Sequence, residues 1–160
     1  MNTQTALKLN MDMGEMITMM YLEDMTDEEL MHRPAPGANH IKWQLGHLIA
    51  SDHDLVNRVC PGVMPDLPAG FAAKYTKETA ANDNPEAFDS KEDLLRTYKQ
   101  QRHAAVTALE SMSDQDFDKE SGFDYAPNAG AIFSLLGGHY LMHAGQWAVI
   151  RRQLGRRPLF

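Results

Sequence analysis

The sequence predicts an all-α domain built as a four-helix bundle. Apolar residues recur every three or four positions along four long segments, and no useful length of chain alternates polar and apolar residues as a strand does. The 160 residues suffice for one buried core, so we expect a single domain over residues 1–160. A long connection without periodicity separates the second helical segment from the third, and the bundle therefore needs one long crossover.

The first half of the chain predicts two helices. The first runs over about residues 3–24 and carries a loosely periodic apolar stripe. A single helical turn follows, because Thr26 and Glu29 have the spacing of a capping box. The second helix begins at Asn39, a suitable N-cap, and ends at the Cys-Pro-Gly sequence of residues 60–62.

The second half predicts the crossover and two more helices. Residues 61–90 are rich in proline, glycine and asparagine, and we expect them to wrap partly on the bundle. The third helix follows Ser90 as its N-cap, with Asp93 at the capping-box position. The fourth runs over about residues 128–154, and Gly155 ends it.

Composition argues against several classes of protein. The net charge of -7 disfavours a nucleic-acid partner, which requires a basic face. No window approaches the ~18 uninterrupted apolar residues of a membrane span, so no membrane partner is expected. The single cysteine, Cys60, excludes an internal disulfide and fits a reducing compartment. With no leader-like segment at the start, we expect the protein in the cytoplasm.

Two histidines, His139 and His143, lie four residues apart in the fourth predicted helix. Residues at this spacing share one helix face with Cβ atoms about 6 Å apart, so two imidazoles there can bind one metal ion. Taken alone, the pair favours a simpler explanation, two neutral core histidines hydrogen-bonded to a carbonyl or hydroxyl. Glycines in the same helix cost about 1 kcal/mol each and indicate close approach of another helix or a ligand.

A third ligand would come from the second helix, which offers His40, His47 and His53. His40 and His47 project within about 20° of each other, whereas His53 points about 120° away from His47. His47 lies off the main apolar stripe, on a second semi-apolar face that it shares with Asp54. That face could contact a second subunit as well as this bundle. Periodicity therefore does not choose the third ligand.

Two segments resemble the DinB/YfiT-like superfamily. In RPAPGANHIKWQLGHL, residues 33–48, a Pro-Gly-Asn loop leads into a helix carrying Trp-x-x-Gly-His-Leu. In HYLMHAGQWAVIRRQLGRRP, residues 139–158, His-x-x-x-His-x-Gly-Gln precedes paired arginines and Leu-Gly. The resemblance implies an up-down-down-up four-helix bundle, often paired into homodimers. It also implies a divalent metal held by three histidines, which in this chain are His47, His139 and His143.

Three neutral imidazoles leave the ion its full charge and at least one open position, as in catalytic zinc sites. Zinc or nickel is the first expectation, with iron, cobalt or manganese as alternatives, because nitrogen ligands select weakly among them. The open position can hold a water that becomes a hydroxide nucleophile. It can equally hold a low-molecular-weight thiol, since relatives resemble both hydrolases and enzymes that use mycothiol, bacillithiol or glutathione.

The predicted function is therefore a metal-dependent enzyme acting on a small molecule, either a hydrolase or a thiol S-transferase or isomerase. A non-catalytic metal-binding or stress-associated dimeric binding protein is the alternative. Many members of the superfamily that this chain resembles have an acidic residue about one turn after the first histidine. Here that turn reads Ser51-Asp52-His53, so no accessory ligand or base is assigned.

Three further residues are candidates around the metal, and no catalytic residue is assigned. Gln146 could orient a ligand, or could be an amide that packs between helices. His40 could face the pocket mouth as a proton shuttle, or could lie at the surface where the helix begins. Asp54 could hydrogen-bond a pocket group, or could be a solvated carboxylate.

Overall fold

Four long helices account for most of the structure, a computed structural model that describes residues 1–159. They span Thr3–Leu22 (α1), Ile41–Val59 (α2), Lys91–Ser111 (α3) and Ala129–Gln153 (α4). The predicted helical fold is confirmed, and every predicted helix boundary lies within two residues of the observed one. None of the helices in residues 1–159 combines the length and the apolar character that crossing a membrane requires.

Side-chain hydrogen bonds set where the helices begin. The predicted turn after α1 is a 3-10 helix over Glu29–Met31, and its capping box with Thr26 forms in both directions. The N-cap of α2 is His40, so the prediction of Asn39 is wrong by one residue. The Nδ1 atom of His40 accepts the backbone N–H of Trp43 at 3.1 Å, as an asparagine oxygen would. The other N-caps are Asn2, Ser90 and Asn128.

The connections contain short elements. The crossover between α2 and α3 has three 3-10 turns, over Ala72–Tyr75, Lys77–Thr79 and Pro85–Ala87. Before α4, the strands Glu120–Phe123 (β1) and Ala126–Asn128 (β2) form an antiparallel hairpin. The sequence did not predict this hairpin, because strands of four and three residues are too short to show a recognisable alternation of polar and apolar residues.

The crossover covers part of the second semi-apolar face of α2. A Cβ atom on Gly46 would lie 2.2 Å from the ring of Tyr75, so glycine allows this ring to pack on the helix. The indole Nε1 of Trp43 donates to the Thr76 carbonyl oxygen at 3.0 Å and to the Thr79 hydroxyl at 3.1 Å. The chain's own crossover therefore contacts this part of α2.

Helices α1 and α4 approach each other closely through glycine. A Cβ atom on Gly137 would lie 2.5 Å from the backbone oxygen of Asn10, and one on Gly14 would lie 3.0 Å from the backbone oxygen of Gly137. The predicted close approach along α4 is confirmed at this position. Gly138 and Gly145 instead face open space.

The apolar core has two clusters, and a buried ion pair lies where they adjoin. Each helix contributes to both clusters, and the pair of Asp52 on α2 and Arg102 on α3 falls between the two sets. Both residues are 2% exposed, and Arg102 Nη1 lies 3.6 Å from Asp52 Oδ2. Arg102 Nη2 donates to the backbone oxygens of Met11 on α1 and Leu136 on α4, at 3.4 and 3.2 Å. One guanidinium on α3 therefore contacts each of the other three helices.

The environment of Asp52 changes its acidity. Burial raises the pKa of Asp52 to about 7, although the positive charge of Arg102 acts in the opposite direction. The guanidinium also lies over the ring of Tyr140, with 4.8 Å from its central carbon to the ring centre. The core thus contains a buried polar layer in which Asp52 is protonated below about pH 7 and forms an ion pair with Arg102 above it.

At pH 8, where Asp52 is ionised, we expect Arg102→Met to lower the free energy of unfolding by about 3–5 kcal/mol, because it removes one partner of a buried ion pair. The matched control is Arg96→Met on the same helix, since Arg96 is exposed and pairs with Asp93 three residues earlier. The control should change stability by less than about 1 kcal/mol. Urea unfolding followed by circular dichroism measures both variants, and equal losses would contradict a special role for Arg102.

We expect Asp52→Asn to change the pH dependence of stability. The folded chain holds the Asp52 proton to about pH 7, whereas an unfolded aspartate loses it near pH 4. The stability that this retained proton gives the folded chain is therefore fully present below pH 4 and is lost as the pH rises to 7. Relative to the unaltered protein, the asparagine variant should gain stability across that interval in urea unfolding. A stability difference that stays constant from pH 4 to 7 would contradict the raised pKa.

Candidate metal centre

Three histidines from two helices meet where α2 packs against α4. His47 comes from α2, and His139 and His143 come from α4; each offers a ring nitrogen within 4.8 Å of the others. The ring centre of His47 lies 5.5 Å from that of His139 and 6.0 Å from that of His143. Nitrogens that share a tetrahedral zinc ion lie about 3.3 Å apart, so rotations that move the rings by about an ångström bring all three within reach.

The surroundings keep the three imidazoles neutral. Burial lowers the pKa of His47. Burial, together with repulsion from the neighbouring imidazoles, lowers the pKa of His139 and of His143 to about 4. The neutral ring is the form that ligates a metal, so at pH 7 no proton has to leave before an ion binds.

Gln44, one turn before His47 on α2, orients the ring of His143. Its side-chain oxygen Oε1 accepts hydrogen bonds from His143 Nδ1 at 2.7 Å and from Trp147 Nε1 at 2.9 Å. Because that oxygen only accepts, the His143 proton resides on Nδ1 and the lone pair on Nε2. The Gln44 amide nitrogen donates to the Asn39 carbonyl oxygen at 2.6 Å, which fixes the amide orientation. Hydrogen bonds of this kind orient the histidine ligands of metal sites.

The other two rings are positioned differently. The His47 ring stacks on the indole of Trp43, with ring centres 5.0 Å apart and planes 4° from parallel. Nδ1 of His139 is buried and has no hydrogen-bond partner among residues 1–159. A buried polar atom without a partner is costly, and a cation or its bound water would satisfy it. These residues therefore fit a metal ion.

The cluster opens onto two adjoining cavities, which share His47, Ser51, Leu55 and Tyr125. The first, about 300 Å³, lies between α2 and α4 and is lined by Leu55, Tyr125, Leu135, Ser51, His47 and His139. The second, about 390 Å³, lies between α2 and the crossover and includes Asp54, Thr76 and Tyr75. A larger surface groove of about 730 Å³ runs along the start of α3 between Asp27 and Lys99, and no histidine lines it.

The three other candidate residues lie in different places. His40 is fully buried, and its ring nitrogens cap α2 and contact the Asn82 carbonyl oxygen at 3.2 Å. Asp54 is exposed and lines the second cavity. Gln146 is exposed on α4 and, within the described residues, makes no hydrogen bond to the cluster. The amide that does so belongs to Gln44, which its position three residues before His47 could have indicated.

The fold and the cluster together define a class of protein, a helical bundle with a three-histidine site between helices that can hold a metal ion. The family model for the DinB superfamily matches residues 11–147, which include all three histidines. The chain therefore belongs to the DinB superfamily, as its two histidine segments indicated. A comparison with curated proteins gives no significant match.

We expect Gln44→Leu to weaken metal binding by about 10–100-fold, because the His143 ring loses the acceptor that fixes its orientation and tautomer. Competition between the protein and a chromophoric chelator for Zn²⁺ measures this loss. Gln146→Leu is the matched control and should bind zinc like the unaltered protein. If Gln146→Leu weakened binding and Gln44→Leu did not, the orienting amide would be misassigned.

Proposed function

We propose that this protein is a metal-dependent enzyme that acts on a small molecule. One observation carries the proposal: three neutral histidines converge beside two cavities, and no further histidine, cysteine or carboxylate of residues 1–159 joins the group. Structural zinc sites have four protein ligands, commonly thiolates, whereas catalytic sites keep one position open. Zinc or nickel is the ion we propose first.

A divalent ion held here would act as a Lewis acid, lowering the pKa of water or of a thiol that reaches its open position. The chain supplies the rest of the site. Gln44 holds the His143 lone pair toward the cluster, and Trp43 supports the plane of the His47 ring. Leu55 and Leu135 keep the wall of the first cavity apolar, which limits access of bulk water to a bound substrate.

The two cavities favour thiol transfer over simple hydrolysis. A transferase must hold a thiol and an electrophile next to one reactive position, and the adjoining cavities of about 300 and 390 Å³ both include His47 and give room for two reactants. The transfer forms a bond between the thiol sulfur and the electrophilic carbon, whose leaving group departs with its electron pair. The thiol proton passes to solvent. Hydrolysis of an ester or amide is the second candidate, since water can occupy the same position as the sulfur.

We expect metal-loaded protein to join one of glutathione, bacillithiol or mycothiol to an electrophile such as 1-chloro-2,4-dinitrobenzene. The rate should fall to background in His139→Ala, because two histidines hold the ion weakly. His103→Ala is the matched control, since His103 is exposed on α3, and should keep full activity. Product formation followed by absorbance measures the rate, and elemental analysis measures metal per chain.

A panel of activated esters and amides, assayed without thiol, separates the two reaction classes. Hydrolysis without thiol that depends on His139 would favour the hydrolase. A folded, metal-loaded protein without activity toward either panel would favour the non-catalytic binding protein. Homodimerisation, and a location in the cytoplasm, stay predictions.

A further inference from the structure

The hairpin before α4 places one aromatic side chain at both cavities beside the histidines. Tyr125 lies at its tip, between β1 and β2, and lines the first and the second cavity. Its side chain is 69% exposed although its ring stacks on Phe123, so most of its aromatic surface is free to contact a ligand. Exposed aromatic side chains beside a cavity commonly contact ligands.

The hairpin that carries Tyr125 is firmly anchored. Arg58 of α2 donates from Nε to the Ser121 carbonyl oxygen at 2.9 Å, and its guanidinium lies 5.5 Å from the centre of the Phe123 ring. Gly122 has φ 81°, and a Cβ atom there would lie 2.9 Å from the Arg58 guanidinium. At the other side of the tip, Ala126 is buried in the core. The tip is therefore held by contacts on both sides of Tyr125.

The ring of Tyr125 is itself supported. It stacks on Phe123, with ring centres 5.3 Å apart and planes 29° from parallel. Phe123 in turn lines the second cavity and contacts Arg58. A flat group in the first cavity would thus meet a Tyr125 ring whose orientation is already favoured, which reduces the entropy lost on binding.

The lining of the first cavity indicates which chemical group it accepts. Apart from the two histidines it comprises Ser51, Leu55, Leu135 and Tyr125, and none of these carries a charge. The second cavity is more polar, because Asp54 and Thr76 contribute to its wall. An uncharged, apolar group fits the first cavity, and the polar part of a second reactant fits the other.

We propose that Tyr125 is a specificity-determining residue that stacks on an aromatic group of the substrate within the first cavity. The inference rests on the proposed function, because the histidines define which end of the substrate lies at the reactive position. It adds the substrate class: an uncharged molecule that carries an aromatic ring close to its reacting atom.

The test compares two probe thiols of similar acidity, 2-phenylethanethiol and ethanethiol, on Co²⁺-loaded protein. The thiolate-to-cobalt absorption band reports binding of each. We expect Tyr125→Ala to weaken the binding of 2-phenylethanethiol by about three- to tenfold, the usual range for an aromatic pair, and to leave the binding of ethanethiol unchanged. Tyr125→Phe keeps the aromatic ring and should therefore bind 2-phenylethanethiol as tightly as the unaltered protein does. Val149→Ala, an exposed apolar residue on α4, is the control and should bind both thiols normally.

Two results would overturn the proposal: an equal loss for both thiols in Tyr125→Ala, or no loss for either. Failure of the proposed function gives a different result, because it affects every variant alike: either no cobalt spectrum appears, or a cobalt spectrum appears that neither thiol changes. In either case isothermal titration calorimetry measures binding of the same two thiols to the metal-free protein. A preference for 2-phenylethanethiol that depends on Tyr125 would still support the stacking role, and its absence would refute it.

Discussion

The hydrogen bonds that Gln44 accepts from His143 and Trp147 fix how α2 lies against α4, and the candidate site depends on that placement. All three side chains are buried, so sliding one helix along the other would leave polar atoms without partners. With this alignment set, His47 follows Gln44 by three residues and lies opposite His139. One amide therefore orients a histidine and aligns the two helices that provide the cluster.

A second buried polar contact fixes the bundle farther along the same helices. The Asp52–Arg102 pair links all four helices through one guanidinium, at the boundary between the two apolar clusters. The first acidic side chain after His47 thus lies in the bundle interior, paired with Arg102 and outside the histidine cluster. No carboxylate of residues 1–159 joins the three histidines, so an ion bound there would retain its full positive charge.

The sequence predicted the parts of this protein that repeat or that follow local rules. Helix periodicity and the cap at Ser90 indicated the helix boundaries, and the i,i+4 spacing placed His139 and His143 on one face. The choice of His47 required the family resemblance, since its face of α2 is only semi-apolar. The cap at His40 was missed because imidazole rarely fills that role. Gln44 was missed although its spacing from His47 is a usable signal, and Tyr125 was missed because it lines the cavities only where distant parts of the chain meet.

X-ray absorption at the cobalt edge of Co²⁺-loaded protein tests the central claim most directly, because it counts the ligands around the ion. Three histidines with an open position predict three imidazole nitrogens, together with one or two oxygen ligands from water. Adding ethanethiol should replace an oxygen by one sulfur at about 2.3 Å. An ion surrounded by four protein ligands that no thiol displaces, or by water oxygens alone, would contradict the account.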